Sequence, residues 1–431
     1  MSVFKKSLYV ASAFAFVAPV ALGAGFQLKE QSGSLQGLSF AGASAKADDA
    51  SVMFYNPAGI TRLKGTQGHA NLSLIKPSAK FNNDASGFTA AAVPAATAHT
   101  VNDGEGGDAG SLAAVPSLYA VSSMDNGVRY GLAINTPYGL KTEYNDDWVG
   151  RYYAIKSELM TINVAPTVAW KVNEEWSLGA ALNIQYAEAE LTNATRLNNV
   201  ALADALTTLK GNDLGFGFRV GTMYEPTDST RIGLAYQSGI HHKLEGDVKT
   251  ILGSTLIGAA STDNAEAKLR TPDVASLGVY HKLNDRLAVM GELAWTNWSV
   301  FENLTVVNSD TGSVLSNVEE KWDDSYFMAL GMEYNPCNCP NKRFQFGVAY
   351  DQTPVDDEYR TFRIPDEDRF WVSFGYGQEW GEDKSFTVGY SHIFVDDASV
   401  VENASSTAKG VVSGSFDASV DILSANFKMK F

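Results

Sequence analysis

From Thr66 onward the chain repeats one pattern, and that pattern leaves few folds open. Apolar and polar residues alternate in successive segments, and the junctions between segments are short and long by turns. In one segment Ile162, Val164, Pro166, Val168 and Trp170 share a face, with Thr161, Asn163, Thr167 and Lys171 on the other. The next sets Trp176, Leu178, Ala180, Leu182, Ile184 and Tyr186 against Ser177, Gly179, Asn183 and Gln185. Period two over such lengths is a strand with one apolar face. A soluble sandwich alternates too, so the junctions have to decide. The short ones (Asp125-Asn126-Gly127, Asn173-Glu174-Glu175, Pro226-Thr227-Asp228-Ser229, Asn284-Asp285, Gly381-Glu382-Asp383-Lys384) carry turn chemistry. Between them come longer stretches at 82–110, 193–212, 250–264, 305–320 and 354–368. Counted this way the chain has about fourteen strands, and an even count with alternating junctions is the arrangement of an outer-membrane barrel. The expected fold is all-β: a transmembrane antiparallel β-barrel over 66–431.

Composition agrees with a barrel. Mean hydropathy is −0.12, because alternating faces cancel in any averaged window. Past the N-terminus no run approaches the roughly 18 consecutive apolar residues of a spanning helix. Aromatic residues make up 11 % of the chain, enough for interfacial girdles built from Tyr130, Trp170, Trp176, Tyr224, Tyr236, Tyr280, Tyr334 and Trp380. A formal charge of −16 argues against nucleic acid, which requires a basic stripe. Two cysteines make no disulfide framework.

The N-terminus divides in two. Lys5-Lys6, an apolar run from Leu8 to Val20 and the small residues Ala21-Leu22-Gly23 read as a signal peptide over 1–23 with cleavage before Ala24. Residues 24–65 follow neither period. They are rich in small residues and end in Phe54-Tyr55-Asn56-Pro57-Ala58-Gly59, where Pro57 fixes its own φ and turns the chain. A compact segment of this kind ahead of a closed barrel is expected inside it, as a plug.

Catalytic chemistry is not legible. His241-His242 has no cysteine or paired carboxylate at ligand spacing and reads as surface imidazoles. Asp48-Asp49 and Gly104-Glu105-Gly106-Gly107-Asp108 lack the ligand count of a calcium loop and read as solvated acidic runs. Cys337-Asn338-Cys339 is open between a local disulfide and two free thiols. No metal, cofactor or enzymatic role is assigned. A barrel hydrolase would need a nucleophile beside a base, and none of the six histidines adjoins a distinctive serine motif. A water-filled porin conflicts with the plug.

Several segments resemble the FadL family of outer-membrane transporters for long-chain fatty acids and other hydrophobic compounds. Ala24-Gly25-Phe26-Gln27-Leu28 is similar to the mature start of those proteins. Ala47-Asp48-Asp49-Ala50 and Asn56-Pro57-Ala58 are similar to their N-terminal hatch. Tyr138-Gly139-Leu140 with Thr142-Glu143-Tyr144-Asn145-Asp146, and Pro354 with Ile364-Pro365-Asp366-Glu367-Asp368-Arg369-Phe370-Trp371, resemble later family segments. The resemblance implies an outer-membrane location in a Gram-negative bacterium and passive uptake of an apolar solute. The route would be capture at extracellular loops, a pocket against the hatch, and lateral exit into the bilayer. Asn135-Thr136-Pro137-Tyr138-Gly139 predicts a pairing defect independently, since proline cannot donate to the ladder and Gly139 favours a bulge. The exit is expected at Thr136, Pro137, Tyr138 and Gly139, opposite Ala113. The pocket and hatch residues are expected to be Ala24, Gly25, Phe26, Asn56, Pro57 and Ala58, with Phe26 reaching the pocket and Asn56 satisfying backbone groups at the kink. The expected solute is a long-chain fatty acid, with an aromatic or other hydrocarbon as the alternative. Lys141, Arg151, Lys321 and Arg363 are the candidate cations for a carboxylate head group. The last strand places Leu423, Ala425, Phe427, Met429 and Phe431 on one face, and resemblance to outer-membrane barrels at large implies that Phe431 is read by the assembly machinery.

Overall fold

The computed structural model describes residues 24–84, 104–123, 127–196, 204–252, 260–336, 341–381, 383–403 and 409–431. The expected signal peptide, the Asp125-Asn126 turn, and Cys337 with Cys339 lie outside the described residues. The chain forms a closed antiparallel barrel of fourteen strands. They are β1 (Gln67–Asn83), β2 (Ala113–Ser123), β3 (Val128–Asn135, resumed at Gly139–Glu143), β4 (Lys156–Lys171), β5 (Trp176–Arg196), β6 (Asp204–Thr227), β7 (Thr230–Gln237 and His241–Leu252), β8 (Ala260–Arg270 and Val274–Asn284), β9 (Leu287–Thr296 and Asn303–Asn308), β10 (Val314–Glu319 and Ser325–Tyr334), β11 (Lys342–Asp351), β12 (Arg369–Trp380), β13 (Lys384–Val395 and Ala398–Asn403) and β14 (Val411–Lys430). Each pairs with its neighbours, and β1 closes the ring on β14 along its full length, from Gln67 opposite Lys430 to Asn83 opposite Gly414.

The faces are inverted relative to a soluble protein. Leu178, Leu182, Leu214, Phe216, Phe218, Leu330 and Phe374 point outward and exposed, while Asn71, Ser73, Asn163, Asn183, Thr387, Ser391 and Ser424 are buried inside. Hydrocarbon covers the outer band, so the apolar side chains go there. The sandwich alternative fails on this point. Of the expected girdle, Tyr280 departs: it points inward, beneath the guanidinium of Arg231 at 3.7 Å.

Three of the long junctions are largely strand rather than loop, 250–264 among them, with Ala260 opposite Ile251 and Asn264 opposite Asp247. Strands β5 and β6 continue as a paired ribbon from Glu188–Asn212 out to Arg196–Asp204, and β9 and β10 form a hairpin through residues expected to be irregular. These extensions carry polar residues on both faces, as water outside the membrane permits, so the period-two signal fades while the ladder persists.

Residues ahead of β1 fill the lumen. Two single-turn helices, α1 (Gly33–Gln36) and α2 (Val52–Tyr55), and a 3-10 turn (Pro57–Arg62) are joined by tight turns. Wall glycines let this segment approach closely: a Cβ on Gly179 would lie 2.3 Å from the Ala58 nitrogen, and one on Gly233 1.9 Å from the Ser44 carbonyl oxygen. Asp49 is buried, and Asp48, half-buried, is paired rather than free. Asp49 faces the His69 ring at 2.9 Å and accepts from Ser34 and Ser51, while Asp48 takes Lys46 at 2.6 Å. Burial alone would raise the Asp49 carboxyl, but the imidazole and the hydroxyls hold it well below the usual carboxylate range. The 104–110 stretch is also tied down, with Asp108 accepting from the Ala79 amide at 2.8 Å.

Candidate functional site

The site is built around the break in β3. Pairing of β2 with β3 ends at Leu118 opposite Ile134, so Ala113–Ser117 has β1 as its register partner and none on the β3 side. Above the break, Gly139–Glu143 pairs with β4 alone, and Ala109 bridges the rim by donating to Ala79 and accepting from the Glu143 amide. The wall thus has a bounded interruption where Pro137 had predicted one.

In a membrane wall every backbone group needs a partner, and at this break the partners are found inside. The Gln31 side chain donates to the Thr136 carbonyl at 2.7 Å and accepts from its amide at 3.2 Å. Leu28 donates to the Pro137 carbonyl at 2.9 Å, and Gly139 donates to the Phe26 carbonyl at 2.9 Å. Thr161 on β4 serves both the amide and the carbonyl of Tyr138. Residues 26–31 therefore complete the wall. Asn56 does not. Its amide donates to the carbonyls of Ser44 and Thr222, and its oxygen accepts from Ala58. That places Asn56-Pro57-Ala58 against β5 and β6, because Gly179 and Gly221 leave room there. The role expected of Asn56 belongs to Gln31.

Phe26 sits in an aromatic cage. Its ring meets Trp298 at 4.6 Å, Trp322 at 5.6 Å, Phe301 at 5.7 Å and Tyr138 at 6.0 Å. Trp298 and Phe301 come from the interruption in β9 and Trp322 from that in β10, and all three are buried. Gly25 precedes the ring at a φ of +62° and donates to Asp366 at 2.8 Å. Asp366 is in turn paired with Arg369 and accepts from Thr353. The chain head is thereby latched to the 352–368 segment.

Beside the break lies a partly open cavity, about 640 Å³ with the solvent space at its mouth included. Gln27, Leu28 and Lys29 form one wall, Pro137 touches it from β3, and Phe40, Phe54, Tyr55, Ala235, Val274 and Phe327 make it largely apolar. None of Ala24, Gly25, Phe26, Asn56, Pro57 or Ala58 lines it: Phe26 is held in its cage, and the head reaches the cavity through the three residues that follow. Two cations do line it. Arg219 donates to Gln237 and to the Met53 carbonyl and lies 4.7 Å over the Phe54 ring. Lys29 donates to Gln27 at 3.1 Å and lies 4.5 Å over the Phe327 ring. Glu292, also in the lining, accepts from the amide and hydroxyl of Ser44.

The four cations expected from sequence lie elsewhere. Lys141 pairs with Glu143 and Arg151 with Asp204, Lys321 meets Glu319 and Tyr359, and Arg363 donates to Ser157. All belong to the extracellular half, where opposite charges were already at hand. Arg219 had a signal: it falls on the glycine face of β6, between Gly217 and Gly221 and opposite Phe216, Phe218 and Val220, and an arginine facing into a membrane protein's interior marks a functional position. His242 corrects the surface reading as well; it is buried, with Asp213 at 3.1 Å and Gln185 at 3.0 Å.

Burial without a partner singles out one group in the plug. Glu30 is buried, one of its carboxylate oxygens has no hydrogen-bond partner among the described residues, and desolvation pushes it up to about 7.

A closed barrel with a lumen-filling hatch and an apolar cavity beside a wall break defines an outer-membrane transport protein. The family model described as outer membrane protein transport protein (OMPP1/FadL/TodX) matches residues 14–431, and the chain belongs to that family. A long-chain fatty acid transport protein of Escherichia coli O6:H1 is 30% identical over 426 residues, covering 91% of each chain. Outer membrane protein P1 of Haemophilus influenzae is 29% identical over 422 residues, covering 91% of this chain and 90% of the other. The crystal structure of a Pseudomonas aeruginosa FadL homologue superposes with a TM-score of 0.86 at 25% identity, covering 95% of this chain and all of that one. The Ralstonia pickettii toluene transporter TbuX shares the fold at a TM-score of 0.67 and 18% identity, over 95% and 99% of the two chains. The protein is an outer-membrane protein of a Gram-negative bacterium.

Proposed function

We propose that the chain takes up long-chain fatty acids passively, and that residues 24–65 act as a ligand-displaced hatch. One observation carries the reading: the cavity is walled by Gln27–Lys29 on one side and by Pro137 on the other. A solute filling it presses on the segment that completes the broken wall. The solute enters from the extracellular loops and displaces the head, and it leaves between β2 and the upper half of β3. Sideways exit into lipid keeps each CH₂ out of water, worth about 0.8 kcal/mol apiece.

Lys29 is the head-group cation in this reading. Its ammonium has one neutral hydrogen-bond acceptor and an aromatic face, so a carboxylate adds a charge-assisted bond there. Arg219 is already engaged on three sides and positions the cavity wall. The second reading, uptake of aromatic hydrocarbons, draws on Phe40, Phe54, Tyr55 and Phe327 in the same lining. Equilibrium binding of labelled oleate and labelled toluene to the parent and to Lys29→Gln tests both. Fatty-acid transport requires oleate binding that weakens in the variant. Tight toluene binding with no oleate binding would overturn the fatty-acid reading.

A further inference from the structure

Beneath the hatch, at the end of the barrel where the short turns lie, is an open recess of about 720 Å³ with an unusual charge balance. Arg62, Lys64, Arg343, Lys428 and Lys430 line it against two carboxylates, Asp48 and Glu379, in a chain whose formal charge is −16. Arg62 is paired with Glu225, but the two lining carboxylates are fewer than the four cations that remain. Asp48 is already shared by Lys46 at 2.6 Å and Arg231 at 3.8 Å, neither of which lines the recess. Lys428 is buried, and its one polar contact is the Asp48 carbonyl at 3.4 Å. Arg343 reaches Thr387 at 3.3 Å, but its Nε is buried without a hydrogen-bond partner among the described residues. Gly377 leaves space for that guanidinium, since a Cβ there would stand 2.5 Å from Nε.

Gathering like charges inside a recess is unfavourable unless something offsets them. We propose that this recess binds a phosphate-type oxyanion. Arg62 and Lys64 come from the hatch; Arg343 on β11 and Lys428 and Lys430 on β14 come from the wall. One anion between the two sets bridges the plug to the barrel and holds it from below, on the face opposite the Phe26 cage. Its oxygens accept from the Arg343 guanidinium and from the Lys428 ammonium, whose one hydrogen bond among the described residues is the long one to the Asp48 carbonyl.

The test uses the full mature chain in a non-ionic detergent, titrated calorimetrically with inorganic phosphate at an ionic strength held constant with chloride. The expected result is saturable one-to-one binding, weakened about tenfold or more in Lys428→Gln by loss of one charge-assisted bond. Lys64→Gln, on the exposed lip of the hatch, should weaken it as well, whereas Lys243→Gln at the far end of the barrel should leave it unchanged. Heat-modifiable migration on electrophoresis confirms that each variant is a folded barrel. A second arm titrates phosphate into nanodiscs containing phosphatidylglycerol or phosphatidylcholine. Loss of binding in the phosphatidylglycerol discs alone identifies a lipid head group as the occupant, and equal binding in both identifies a free anion. No saturable heat in any arm, or equal binding by the parent and Lys428→Gln, would overturn the proposal.

Discussion

Replacing Phe26 by alanine should free the hatch head while leaving the barrel folded. The ring is buried with four aromatic neighbours between 4.6 and 6.0 Å, and a buried phenylalanine reduced to alanine costs about 3–5 kcal/mol. What remains to hold the head is its hydrogen bonding: Gly25 to Asp366, Leu28 to Pro137, Gly139 to the Phe26 carbonyl, and the two bonds between the Gln31 side chain and the Thr136 backbone. At about 0.5–1.5 kcal/mol each, those five bonds together are at least of the same size as the loss. At about 1.4 kcal/mol per decade, the undocked population should rise by roughly two to three and a half decades. The wall does not share the penalty, because no barrel ladder passes through Phe26. A single cysteine at position 136, in a background with Cys337 and Cys339 replaced by serine, reports the opening. Thr136 is buried and its backbone is covered by Gln31, so maleimide reacts only when the head leaves. The labelling rate should rise by about two decades or more in Phe26→Ala, with heat-modifiable migration unchanged. A labelling rate equal to the parent's would refute the argument that the cage holds the head over the break.

The remaining expectations follow from the same geometry. Ala113→Trp fills the unpaired stretch of β2 facing the β3 break and should abolish uptake of labelled fatty acid while leaving equilibrium binding to the cavity intact; uptake at the parental rate would mean the route is not lateral. Asn56→Ala strands the Ser44 and Thr222 carbonyls, at about 1–3 kcal/mol for each buried group left unsatisfied; it should expose the hatch to protease without lowering barrel stability. The pH dependence of docking should come from Glu30, whose carboxyl is raised from 4.5 to about 7 when buried. A docked state that holds its proton more tightly is favoured at low pH, so docking should be strongest below about pH 4.5 and weaken as pH climbs through about 7. Glu30→Gln should flatten that profile in the same labelling assay, and an unchanged profile would assign the dependence to another group.

The wall was legible along the chain. Apolar alternation such as Trp176, Leu178, Ala180, Leu182 requires a strand with one face in an apolar medium, and the short polar turns fix which ends are joined tightly; both are local facts. Pro137 announced its own pairing defect for an equally local reason, the missing amide hydrogen. Sequence reasoning could also place residues 24–65 inside, since they have no period to offer a membrane. Which plug residue meets which wall residue was decided only by the tertiary structure. Gln31 and Asn56 have the same amide chemistry, and nothing along the chain says that Gln31 lies under the break while Asn56 lies under Gly179 and Gly221. The cavity cations were hidden for the same reason. Lys29 and Arg219 are 190 residues apart and share a cavity because the hatch folds back against β6, whereas Lys141, Arg151, Lys321 and Arg363 found partners in their own half of the barrel. A strand's faces follow from stereochemistry at each residue, but contacts across a lumen depend on how a segment without periodicity packs against fourteen strands at once, and that packing is settled by the whole surface it must fit.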